Sequence, residues 1–136
     1  MITRILRITL AVRDQEEALL FYVDKLGFEK RSDQPMGPGK RWITMAPRDD
    51  HDLEMVLQPS DWFDGAEREE HLARVGKNPT MVLQVDDCQK TYEALLKRGV
   101  KFIQPPEERP YGLEALAEDP YGNMLDLLEI PKAGRG

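Results

Sequence analysis

The chain repeats itself, and that repeat restricts the folds open to it more than any other feature. Residues 5–12 alternate so that Ile8, Leu10 and Val12 share one face while Arg7, Thr9 and Ala11 share the other, the pattern of a half-buried strand. Asp14 follows, with Glu17 three residues on, an acidic capping box opening a helix whose Ala18, Leu19, Tyr22 and Leu26 form one apolar stripe. Gly27, tolerant of the left-handed conformation, ends it. From residue 81 the order returns: Met81, Leu83 and Val85 alternate with Val82 and Gln84, Asp86-Asp87 cap a helix carrying Tyr92, Leu95 and Leu96, and Gly99 closes it. Ile8 aligns with Met81 and Asp14 with Asp87 at an offset of 73, but Gly27 aligns with Gly99 at 72, so the second helix is one residue shorter.

Each helix is followed by further strand candidates: 28–32, 41–46 and 53–58 in the first half, 102–104, 113–118 and 124–130 in the second. Leu53-Glu54-Met55 aligns with Leu125-Asp126-Leu127 at an offset of 72, which predicts an acid at equivalent positions of two equivalent strands. The expected organisation is one α+β domain over 1–136: module one 4–58, linker 59–79, module two 80–131 and a tail 132–136. In the linker, Trp62 and Phe63 are read as anchors onto the domain or a subunit partner.

Charge and cysteine content exclude several functions. With 25 acidic against 19 basic side chains the net charge is -6, a field that repels nucleic acid and anionic membranes. A lone cysteine, Cys88, forbids an intramolecular disulfide or a multi-cysteine metal centre and fits a reducing, cytoplasmic setting. No apolar run approaches the ~18 residues of a membrane span, and no signal-peptide pattern opens the chain.

Two β-α-β-β-β modules of this size resemble the vicinal-oxygen-chelate superfamily, which includes glyoxalase I, extradiol dioxygenases and bleomycin-resistance proteins. The details carry the likeness: Ile8-Thr9-Leu10-Ala11-Val12-Arg13-Asp14, then Phe21-Tyr22 and Leu26-Gly27-Phe28, resemble the family's first module. Glu118-Asp119-Pro120-Tyr121-Gly122-Asn123 before Leu125-Asp126-Leu127 resembles its ending. The resemblance implies a curved mixed-sheet cup with helices outside. In metal-dependent members it also implies a divalent ion held by a histidine on the first strand of each module and a carboxylate on the last. Carried onto this chain, those positions fall on Arg7, Glu54, Thr80 and Asp126.

Arginine has no lone pair to offer and Thr80 is a weak neutral donor, so no metal or other cofactor is expected and a bound divalent ion is the less favoured outcome. Arg7 is expected instead to pair with Glu54 and Asp126, lowering both carboxyls. Trp42 and Thr44 are expected to line the cup beside Glu54, as an aromatic wall and a hydroxyl, with Tyr111 and Glu114 as weaker rim candidates. The ligand-binding set is therefore Arg7, Trp42, Thr44, Glu54, Thr80 and Asp126. His51 and His71 read as surface residues, and Ser60 lacks a His-Asp context. Cys88, directly after a helix cap, is expected to carry a modestly enhanced thiolate fraction without a partner base. The leading expectation is a homodimeric binder of a small organic molecule. The alternative is a lyase or isomerase of the glyoxalase type using Glu54 or Asp126 as a general base, with or without a divalent metal. A purely structural protein is the third class.

Overall fold

Buried hydrocarbon on alternate residues sets the sheets. A computed structural model describes residues 1–131; the tail assigned to 132–136 lies outside the described residues. Two compact units are present, the first Met1–Asn78 and the second beginning at Pro79. Each holds a four-stranded mixed sheet, so the α+β class and the paired modules expected from the repeat are found.

In the first unit, β1 (Arg7–Ala11), β2 (Phe28–Pro35), β3 (Arg41–Pro47) and β4 (Glu54–Gln58) lie in the order β1-β4-β3-β2. β1 runs parallel to β4 and the other neighbours are antiparallel. Leu10, Val12, Ile43, Met45, Met55 and Leu57 are buried, and Ala18, Leu19 and Tyr22 of the helix between β1 and β2 are buried with them. Phe21 and Phe28 extend this core, their rings 5.1 and 5.4 Å from that of Tyr22. Ile8, expected to face the core, stays 48% exposed although Leu10, two residues on in the same strand, is buried.

That helix begins as α1 (Gln15–Leu19), with Asp14 Oδ1 accepting from the Glu17 amide at 3.0 Å. It continues as a wider π-helical segment, Leu20–Lys25, in which the Leu26 amide donates to the Phe21 carbonyl five residues back. The counterpart in the second unit, α3 (Cys88–Lys97), is capped alike by Asp87 and stays α-helical. The extra residue of the first copy is absorbed as that wide turn, where Leu20 faces solvent.

The second sheet contains β5 (Met81–Gln84), β6 (Lys101–Arg109), β7 (Gly112–Glu118) and β8 (Met124–Glu129), in the order β5-β8-β7-β6. β6 extends well past the three residues expected, through Pro105 and Pro106. It is an edge strand, and its register with β7 breaks on both sides of Gln104, so the prolines sit where few ladder donors are required. The turn into β7 brings Gly112, at φ +147°, so close to β8 that a Cβ there would stand 2.4 Å from the Glu129 carbonyl oxygen.

The registers of the last strands overturn one expectation. Val12 and Val85 each stand two residues before their capping aspartate; Val12 donates to the Gln58 carbonyl and Val85 to the Leu128 carbonyl, both at 3.0 Å. Behind the caps, Gln15 donates to the Leu57 carbonyl and Cys88 to that of Leu127. Gln58 therefore corresponds to Leu128, which places Val56 opposite Asp126 in the repeat and Glu54 opposite Met124. Glu54 and Asp126 share a face type, but they are two residues out of equivalence.

Candidate functional site

The helix-free face of the first sheet, read from alternation and register, carries Arg7, Thr9, Trp42, Thr44, Glu54, Val56 and Gln58. Its two ends differ. At one end Arg7 stands directly across from Glu54, Nε to Oε1 4.0 Å, with side chains 40% and 32% exposed. At the other, Trp42 lies nearly parallel to Trp62, 8° between planes and 6.2 Å between centroids. Thr44 pairs with Val56, and continuing that antiparallel register puts Trp42 beside Gln58. Trp42 is thus about 13 Å along β4 from Glu54's row, not beside it. Thr44 is fully buried, its hydroxyl 2.7 Å from that of Ser32, so it joins β2 to β3 instead of presenting a free hydroxyl.

In the second unit Thr80 is exposed just before β5, and Asp126 on β8 lies across from Leu116 on β7. Two residues along β7, on the same face, Glu114 is buried and forms the centre of a polar cluster. Its Oε1 accepts from Arg109 Nε at 3.1 Å and from the Tyr111 hydroxyl at 3.0 Å, and Arg109 also donates to Gln104 Oε1 at 3.0 Å. The carboxyls of Asp126 and Glu114 approach closely enough for a hydrogen bond once Asp126 is protonated, and Asp126 Oδ1 is buried with no hydrogen-bond partner among the described residues. Burial, then that hydrogen bond and the neighbouring negative charge, push the Asp126 carboxyl up to about 6. Burial also pushes Glu114 up, but the hydrogen bonds from Asp126, Tyr111 and Arg109 together outweigh it and hold the carboxyl low. As pH falls through about 6 the pair takes up a proton on the Asp126 side. The lowered carboxyl expected for Asp126 is therefore a raised one.

Two further expectations need correction. His71 on α2 (Gly65–Arg74) is fully buried, not superficial: Nε2 donates to the Gln58 carbonyl at 2.7 Å and the ring lies 5.1 Å from that of Phe63. Cys88 has no enhanced thiolate fraction, since burial first, and then nearby carboxylates led by Glu129, push its thiol up to about 11. His51 is exposed, as expected.

Reasoning from sequence missed Trp62 as the stacking partner of Trp42 and Glu114 as the partner of Asp126. Alternation along β7 and β8 was a usable signal for Glu114. Trp62 and Phe63 do anchor onto the first unit, on Trp42 and His71, but nothing in the linker identified those partners.

Residues 4–127 match the Glyoxalase/Bleomycin resistance protein/Dioxygenase superfamily. The chain belongs to that superfamily. UcmS2 is similar in structure at a TM-score of 0.82 with 37% identity, over 94% of this chain and 98% of that one. TnmS3, an antibiotic binding protein from Streptomyces sp. CB03234, matches at 0.78 with 32% identity, covering 96% and 98% of the two chains. YurT of Bacillus subtilis (strain 168) is 37% identical over 119 residues, 87% of this chain and 92% of that protein. Among the described residues, no group of three or more His, Cys, Asp or Glu could hold a metal ion, and no helix is long and apolar enough to cross a membrane.

Proposed function

We propose that this superfamily member binds a small organic molecule in a site without a metal, as a cytoplasmic homodimer. One observation carries the reading: the residue matching Asp126 in the first sheet is Val56, a buried hydrocarbon. With Arg7 and Thr80 on the first-strand positions, the ligand positions of metal-dependent relatives hold a guanidinium, a hydrocarbon, a hydroxyl and a single carboxylate. A catalytic ion is normally held by three protein ligands with lone pairs, and this set does not fit one. Glu54 does not restore it, being two residues from the matching position and already facing Arg7. TnmS3, similar in structure and sequence, is an antibiotic binding protein, and that likeness supports an organic ligand.

In the first unit Arg7, Trp42 and Glu54 keep accessible surface for ligand contacts, while buried Thr44 acts behind them by fixing the β2–β3 pair; in the second, Thr80 and Asp126 keep accessible surface likewise. Dimerisation is supported by β1, an edge strand that leaves Ile5, Leu6 and Ile8 exposed.

Melting curves test this reading. A screen of aromatic and antibiotic-like compounds should contain stabilising members, by about 2.7 kcal/mol when a ligand is at a hundred times its Kd. Zn, Ni and Mn should leave the curve unchanged. Stabilisation by those ions, with none from the compounds, would sink it.

A second reading is favoured by the raised carboxyl of Asp126, which suits a general base acting on an acidic carbon. In D2O, a ligand found in the screen would then gain deuterium at such a carbon, and Asp126→Asn would abolish the exchange. Full retention of protons leaves the binder.

A further inference from the structure

We propose that residues 61–77 form a hinged flap, pinned by His71, that closes over the Trp42 end of the first sheet's open face and swings away from it as one unit. The inference rests on the small-molecule reading for its purpose, since this is the face assigned to the ligand, and it concerns access to that face, not what binds there.

The roots of the flap are fixed side by side at the end of β1. Ser60 donates to the Arg13 carbonyl, through its amide at 3.5 Å and its hydroxyl at 3.1 Å. The Asn78 side chain pairs with both the amide and the carbonyl of Ala11, at 3.2 and 3.3 Å. Ala11 and Arg13 are close neighbours in sequence, so the chain between the roots leaves the sheet and returns to it at nearly one place. Within the flap, Gly65 at φ +54° and Gly76 at φ +82° stand at the two ends of α2. Such element-terminal positions absorb backbone rotation when a segment swings.

Little holds the helix down. Of the 10 residues of α2, all of them described, His71 alone is buried. Its Nε2 donates to the Gln58 carbonyl, which leaves Nδ1 of the neutral ring as an acceptor, and that atom is buried with no partner among the described residues. Trp62 is the flap's contact with Trp42, and its Nε1 is likewise buried without an acceptor among the described residues. Two buried polar atoms without partners penalise the closed flap, and opening hydrates both. The ladder between β1 and β4 survives the movement, because the Gln58 carbonyl also accepts from the Val12 amide at 3.0 Å and stays bonded when His71 withdraws. A segment with anchored roots, few buried side chains and unsatisfied polar atoms belongs to the low-stability end of a structure and opens without global unfolding.

Native-state hydrogen exchange on the full chain, without ligand, tests the flap when read by NMR at increasing urea. The amides of residues 69–73 and the Trp62 indole N–H should share one opening, about a hundredfold or more faster than that of the buried Val12 amide. Its urea dependence should be under about half as steep, because less surface is exposed. His71→Ala should speed the shared opening about tenfold, and Glu70→Ala, at an exposed neighbour, less than about twofold. Exchange of these protons only at the Val12 rate and urea slope would mean that no separate opening exists. Amides that exchange without the indole would mean that the helix frays alone, and a His71→Ala effect no larger than that of Glu70→Ala would mean that His71 is not the pin. Each of these overturns the flap, and the wild-type measurement decides the first two if a variant does not fold. With no ligand added, the outcome is independent of the compound and metal melting curves that judge the small-molecule reading.

Discussion

The two units share a plan and differ in how each absorbs a change of length. In the first, one added residue widens the helix into a π turn at Leu20–Lys25; in the second the helix from Cys88 to Lys97 has none to spare. Their last strands differ by a slide of two residues, which keeps core and open faces unchanged because side chains alternate with a period of two. Faces are thus preserved while chemistry is not. The first sheet sets Glu54 against a cation; the second sets Asp126 against another acid, Glu114, on the neighbouring strand. Residues at equal sequence offsets in a repeat are consequently not at equal positions in space.

The helix difference makes the largest prediction. Deleting Leu96 from α3 leaves the capped part of the helix in place and turns everything after the cut by about 100°, taking the Gly99 stop and buried Val100 out of register, and should cost about 3 kcal/mol or more. Deleting Leu20 converts the π turn into an ordinary α-helical one and should cost under about 1 kcal/mol. Urea unfolding of the two deletions gives the comparison directly. Equal losses would show that the wide turn is not where the extra residue is accommodated.

The hairpins differ less, and in the same sense. At Gly112 a methyl group would meet the Glu129 carbonyl at a φ of +147°, so Gly112→Ala should lose about 2–3 kcal/mol. The matching residue of the first unit is Lys40, exposed in an open turn, and Lys40→Ala should stay within about 0.5 kcal/mol.

Most of this backbone frame was legible in the sequence, because caps, stops and alternation are local signals. Asp14 and Asp87 mark helix starts through side-chain oxygens that accept from amides three residues on, and Gly27 and Gly99 mark helix ends through their positive φ angles. Register is not local. Whether Glu54 or Val56 matches Asp126 depends on which carbonyl Val12 and Val85 reach across to, and hydrophobicity patterns are blind to a slide of two. The candidate site suffered most from this, since placing Trp42 beside Glu54 assumed a pairing that only the sheet decides. His71 was misjudged for a related reason: its carbonyl partner, Gln58, lies thirteen residues away, so a polar helix concealed a buried ring.

The acids of the two units should also separate in their pH behaviour. Asp126 binds a proton at about 6 when folded against an ordinary 3.8, so stability rises as pH falls from about 6 to about 4. Asp33 behaves oppositely: hydrogen bonds from Arg41, then Lys30, hold it at about 2 against 3.8, and the stability they lend is lost as pH falls through that window. The melting temperature should therefore climb from pH 7 to about pH 4 and then drop. Asp126→Asn should flatten the climb and stabilise the protein at pH 7 by about 1 kcal/mol, discounted for partial solvent access. A climb that persists in the variant would assign it to another group.

The smallest effect belongs to Arg7 and Glu54, and its smallness is informative. Their closest approach is 4.0 Å, and both side chains are about a third or more exposed. Pairs of that kind contribute about 0–1 kcal/mol to folding. A double-mutant cycle of Arg7→Ala and Glu54→Ala should therefore give a coupling energy in unfolding below about 0.5 kcal/mol. If the pair served only to hold the sheet, nothing else would change when it is removed. If it contacts ligand at the polar end of the face, the same cycle measured on the affinity of a compound from the screen should give a larger coupling than the one on stability. A stability coupling above about 1.5 kcal/mol with no coupling in affinity would make the pair a structural strut, and would leave the aromatic end as the ligand-contacting part of this sheet.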